Sequence, residues 1–199
     1  MSQHQYHYLI AGLPDLSIEN QKAWISIPDF REMLREELHE DDFPQVELVF
    51  LKDDNENLLE YMETGEVKDP SPGSYTEEDF KDQNELLSAI LPEDDAFPSY
   101  MRDVLRLFRS EEKEFDRVRF SHILADKYYD HLMEKGSHFL KEFSHFEYDL
   151  ENLRTFLEAE KYKMDKGRFI AGSSQHADHL RASIKGALGK DPEFEFFDE

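Results

Sequence analysis

Apolar residues recur along most of this chain at three- and four-residue spacing, which is the period of an amphipathic helix. Only Tyr6 to Ala11 is short and ambiguous, and Gly12-Leu13-Pro14 breaks whatever it forms. A helix is predicted from Ser26, with Pro28 in its first turn and Phe30, Met33, Leu34 and Leu38 on one face. Asp42 and Pro44 open a second, carrying Val46, Val49, Phe50, Leu58, Leu59 and Met62. Gly65 to Tyr75, with Pro70, Pro72 and Gly73, reads as a loop. Thr76 followed by Asp79 resembles a capping box and starts a helix with Phe80, Leu86, Leu87 and Ile90, which Leu91-Pro92 ends. Shorter helices are expected over 98–110 and 115–135, a break at Gly136, and a last helix over 174–188.

The strongest pattern lies at 137–166. Phe139, Phe143, Phe146, Leu150, Leu153 and Leu157 are spaced 4, 3, 4, 3, 4, a heptad seam flanked mostly by charged residues. No other segment sustains such a seam, so the pattern is assigned to the core of a helical hairpin or bundle rather than to a free coiled coil. The aromatic group Phe115, Phe120, Tyr128 and Tyr129 is likewise assigned to core. The expected fold is all-α and built of antiparallel helical bundles. The expected organisation is one unit over 1–75 and a second over 76–199, or a single compact domain.

Two segments echo each other. Asp54-Asn55-Glu56-Asn57-Leu58-Leu59-Glu60-Tyr61-Met62-Glu63 aligns without gaps on Asp149-Leu150-Glu151-Asn152-Leu153-Arg154-Thr155-Phe156-Leu157-Glu158, with five identities in ten positions. Two amphipathic helices converging on similar faces would give this, and so would a duplicated helical unit. Asn is an indifferent helix former, because its amide competes for backbone groups. Asp54, Asn57, Asp149, Asn152 and Arg154 are therefore candidates for specific polar contacts, in helix packing or with a partner.

Charge narrows the classes of partner. The 199 residues hold 46 Asp and Glu against 23 Lys and Arg, a formal charge of −23. Such a field repels nucleic acid and anionic membrane and attracts basic protein surfaces. No apolar run approaches the roughly 18–20 residues of a membrane span. The start of the chain lacks the positive region of a signal peptide, so a cytoplasmic protein is expected. Cysteine is absent, which removes disulfides, thiolate ligands and cysteine nucleophiles. Phe194, Phe196 and Phe197 crowd the last six residues. The expectation there is a chain that continues in its native form, or else Phe side chains docked back on the body.

Among nine His, Glu36-x-x-His39 and Glu142-x-x-His145 have the spacing used by di-iron helical bundles. They are the basis of an alternative reading as a metal-dependent enzyme, although no further inward Glu pair can be nominated. His131, His138 and His145 stand seven apart, about 10.5 Å along a helix and too far to share one ion. His176 and His179 could hold a metal only weakly. No phosphate loop and no Gly-x-Ser-x-Gly elbow is present; Ser173 and Ser174 fit a helix cap, and Gly167 and Gly172 fit turns. No catalytic residue and no cofactor is expected.

Phe139-Leu140-Lys141-Glu142-Phe143, the 149–161 segment with Asp149, Asn152, Leu153 and Arg154, and Phe169-Ile170-Ala171-Gly172 resemble the C (or d) subunit of V-type and archaeal-type rotary ATPases. That family carries a D-x-x-N-[IL]-[RK] helix, a following basic residue and an Ile-x-Gly turn. The opening Tyr6-His7-Tyr8-Leu9-Ile10-Ala11-Gly12-Leu13-Pro14-Asp15-Leu16 resembles more closely an uncharacterised bacterial family encoded with V-type ATP synthase genes. The resemblance covers roughly 139–172, with 54–63 as the first copy of the echo. In that first copy Leu59 follows Asn57-Leu58, and no basic residue comes before Lys68.

The resemblance implies a non-catalytic helical subunit or accessory protein, peripheral to the membrane. It would act between the membrane rotor ring and the central stalk, with subunits of both as partners. An acidic adaptor for some other basic surface is a further alternative.

Overall fold

A computed structural model describes residues 5–13, 25–67, 73–89, 97–111, 115–163, 170 and 175–184. They form eight helices with no strand among the described residues: α1 (His7–Gly12), α2 (Ile27–Glu37), α3 (Phe43–Thr64), α4 (Glu77–Ala89), α5 (Ser99–Ser110), α6 (Arg117–Lys135), α7 (His138–Lys161) and α8 (Gln175–Ile184). The expected all-α fold is what the chain adopts. Ile90, Leu91, Pro92, Gly167, Gly172, Ser173, Ser174, Phe194, Phe196 and Phe197 lie outside the described residues, as do the side chains of His176 and His179.

Local chemistry sets the helix ends. The Ser26 hydroxyl accepts the Asp29 N–H at 3.2 Å, and Pro28 occupies the first turn of α2. Thr76 and Asp79 cap reciprocally, with the Thr76 N–H donating to Asp79 at 2.7 Å and the Asp79 N–H to the Thr76 hydroxyl at 3.3 Å. Helix α3 stops at Gly65, whose φ of 79° is open to glycine at little cost, and its N–H donates to the Tyr61 carbonyl. Gly136 separates α6 from α7, so His131 and His138 stand on different helices. The ambiguous N-terminal segment forms α1, tied down by the Tyr6 hydroxyl, which donates to Asp42 and accepts the His39 N–H.

Helix α6 packs against α3, α5 and α7, while α4 packs against α3 and α5. Leu58, Phe80, Met101, Val104, Leu105, Leu124 and Leu132 are at most 1% exposed and form the centre of the core. This core draws on residues either side of position 75, from Leu51 to Leu140. Phe120, Tyr128 and Tyr129 are buried in it as expected, and Phe115 stacks on Phe120. Arg31 clamps α2 to α3 through two 2.6 Å bonds to Glu47. Ile170, Ala177 and Leu180 make a small second cluster that rests on Leu153 and Phe156 of α7.

The loop after α3 is held by one buried carboxylate. Asp54 is fully buried, and its Oδ1 accepts the N–H groups of Ser74 at 2.5 Å and Tyr75 at 2.9 Å. Gly73 lies so close that a Cβ there would overlap Asp54 Oδ1 and Asn57 Nδ2. Asp54 cannot swing aside without losing both bonds, so Gly73→Ala is expected to cost about 1–3 kcal/mol by overpacking. Gly12→Ala, which meets nothing within 4 Å, is the control and should stay within about 0.5 kcal/mol. Urea denaturation of the two variants checks the contrast.

Candidate functional site

The seam predicted to be core is on the outside. On α7, Phe139 is 76% exposed and Phe146 65%, and Phe143, Leu150 and Leu157 are exposed as well. Only Leu153 of the six is covered, by the α8 cluster. The buried face is instead Leu140, Ser144, Asn152 and Ala159, with Tyr148 half-buried among them. This corrects the core assignment of 137–166, and the reason is side-chain size and polar pairing.

Ser144 is small, and its hydroxyl turns back to the Leu140 carbonyl at 2.6 Å, so α6 can approach closely. Tyr148 stacks on Tyr129 with centroids 4.1 Å apart and donates its hydroxyl to Asp126. Lys52 of α3 reaches Glu147 at 2.8 Å. A polar, aromatic face thus docks on the bundle, and the more hydrophobic face is left outward. Val49 of α3 is a smaller correction of the same kind, since it too is exposed.

The exposed face amounts to something on the order of 500 Å² of apolar surface, taking about 200 Å² for a fully exposed aromatic side chain. The largest apolar patch on a typical monomer is of about that size and is often functional. Phe139 and Phe143 stack nearly parallel along it. Glu142 and Asp149 stand along one margin at heptad spacing, and Glu147 stands on the other beside Lys52. Towards the C-terminal end Arg154 bonds Glu158 at 3.2 Å, an ion pair on the helix surface.

The five candidate polar residues divide by burial. Asp54 and Asn57 are buried together against the loop at Gly73, and Asn152 is buried where α7 meets α6, whereas Asp149 is half-buried and Arg154 exposed. Asp54 has no hydrogen-bond partner for Oδ2 among the described residues. Burial raises its carboxyl to a pKa of about 6, against the opposing pull of the Tyr75 and Ser74 N–H groups and of Arg31. Asn152 lines a cleft of about 350 Å³ between α3, α6 and α7 with Asn55, Tyr128, Tyr129 and Tyr148. A second cleft of about 450 Å³ is lined by Arg102, His131 and Lys135 beside Glu47 and Tyr75. Burial lowers the His131 imidazole pKa there.

The metal pairs do not assemble among the described residues. Helix α2 ends at Glu37, so Glu36 and His39 do not share a helical face, and His39 Nδ1 accepts the Asp41 N–H. Glu142 and His145 do share α7 but are exposed to solvent. No three His, Asp or Glu side chains converge on a point among the described residues. No described helix is long and apolar enough to cross a membrane.

A chain-long comparison places this helical architecture in a family. The model of the family described as protein of unknown function (DUF2764) matches residues 1–197. The chain belongs to that family. Neither a curated protein nor a solved structure matches this DUF2764 chain. The site that the DUF2764 chain offers is thus read from its own surface, and the exposed face of α7 was missed because hydrophobicity was equated with burial. A signal was present in the sequence: the seam has no second seam in the chain to pair with.

Proposed function

We propose that this protein is a non-catalytic helical subunit or accessory protein of a V-type rotary ATPase, contributing to coupling or assembly between the membrane rotor ring and the central stalk. The observation that carries the reading is the exposed apolar face of α7, which an interaction protein needs and a self-contained enzyme does not. The resemblance of 139–172 and of 54–63 to the C (or d) subunit supports the choice of complex. So does the formal charge of −23, which suits docking on basic stalk or ring surfaces. In this reading the two echoing segments are copies of one helical unit, of which Asn57 and Asn152, both buried, are the shared polar anchor. The protein would be cytoplasmic and held at the membrane only through the complex. An acidic adaptor for another basic partner would use the same face.

The test is an affinity pull-down of the tagged full chain from membranes of the native organism, read by mass spectrometry. Recovery of central-stalk and rotor-ring subunits is expected. Their absence, with the ATPase shown to be intact in the input, overturns the reading.

A further inference from the structure

The exposed face of α7 has the period of a coiled-coil seam, 3.5 residues, and runs unbroken through Phe139, Phe143, Phe146 and Leu150, about three turns or ~16 Å, before the α8 cluster covers Leu153. A single helix is the element that such a seam fits. Three occupants differ in charge. A second copy would bring another chain of −23 and set carboxylates against carboxylates. The 191–199 segment of this chain, with Phe194, Phe196 and Phe197, carries five acidic and no basic residues. A helix with Lys or Arg beside its apolar positions would instead meet the exposed Glu142, which flanks Phe139, Phe143 and Phe146, on a chain whose net charge is of the opposite sign.

From the seam and its margin together we infer that α7 is the docking element, and that its occupant is a basic amphipathic helix of another protein, laid along Phe139–Leu150 as a two-stranded coiled coil. The inference rests on the interaction-protein reading above and adds the site and the chemistry of the partner.

The probe is a synthetic 21-residue helical peptide with Leu at its seam positions and Lys beside them, compared with a counterpart bearing Glu in place of Lys. Fluorescence anisotropy with the full chain should show binding of the Lys peptide, weakening at higher salt, and little binding of the Glu peptide. Phe143→Asp with Phe146→Asp should weaken it by at least about tenfold, with an unchanged thermal melt because both positions are exposed. Glu142→Lys should weaken it several-fold and flatten the salt dependence. Glu32→Gln with Glu36→Gln on α2, also exposed, should leave it unaltered.

Equal binding of the two peptides, no binding of either, or undiminished binding by the Phe143→Asp/Phe146→Asp variant overturns the inference. So does a dimer in sedimentation that this variant dissolves, which makes a second copy the occupant. A tenfold gain in affinity on Phe194→Ser, Phe196→Ser and Phe197→Ser overturns it too, in favour of the chain's own acidic segment. If the Phe143→Asp/Phe146→Asp variant still recovers ATPase subunits from membranes, this inference fails and the ATPase reading stands. If the wild-type chain recovers none but binds the Lys peptide at α7, the reverse holds.

Discussion

Leu140→Ala is expected to destabilise the protein by about 2–4 kcal/mol, whereas Phe139→Ala, one residue earlier, should change stability by no more than about 0.5 kcal/mol. Leu140 is 6% exposed and belongs to the main core, and Phe139 is 76% exposed. By hydrophobicity alone the order would be reversed, since Phe has the larger apolar surface. Adjacent helical residues differ by about 100° in direction, so the pair reports which face of α7 meets α6. Urea titrations of both variants, with matched slopes, make the comparison. A costly Phe139→Ala beside a mild Leu140→Ala would mean that α7 packs by its seam after all, and would remove the docking face with it.

The second large effect concerns pH. Asp54 has a folded pKa of about 6, above its ordinary value of 3.8. The folded state then holds more protons than the unfolded state between those values, so this group's contribution to stability falls as pH rises. It is fully present below pH 4 and lost as pH passes through about 6. Integrated from pH 4 to pH 7, the loss comes to about 2–3 kcal/mol.

The other acids titrate over the same range, so the effect must be isolated by difference. Asp54→Asn keeps a carbonyl oxygen to accept the Ser74 and Tyr75 N–H groups but cannot ionise. The stability of wild type minus that of Asp54→Asn should therefore drop by about 2–3 kcal/mol between pH 4 and pH 7. Denaturant titrations at the two pH values measure it. A difference that is flat with pH would show that the carboxyl is ionised as easily in the fold as in the unfolded chain.

The helical architecture was legible because it depends on local chemistry. Ser26 and Pro28, Thr76 and Asp79, Gly65 and Gly136 mark helix ends through bonds and dihedral limits that operate within a few residues. The same is true of the period along 139–157, which correctly placed a long helix there. Asn57 and Asn152 were picked out because Asn is an indifferent helix former and both stand at the same point of two echoing helices; both are buried. What Asp54 grips was not legible. Its partners are backbone N–H groups some twenty residues on, and backbone groups leave no trace in side-chain pattern.

By itself, then, the sequence determined an acidic, cysteine-free chain of helices, where most of the described helices begin and end, and which residues share a face. Only the tertiary structure decided which face of α7 turns inward. On α7 two faces compete: a Phe/Leu seam with the larger transfer free energy, and a Leu140–Ser144–Tyr148–Asn152 face with the better fit. The second packs inward because Ser144 allows close approach and Tyr148 finds both a ring and a carboxylate on α6. Hydrophobicity is a property of single residues, whereas complementarity belongs to pairs of surfaces that meet only in the folded chain.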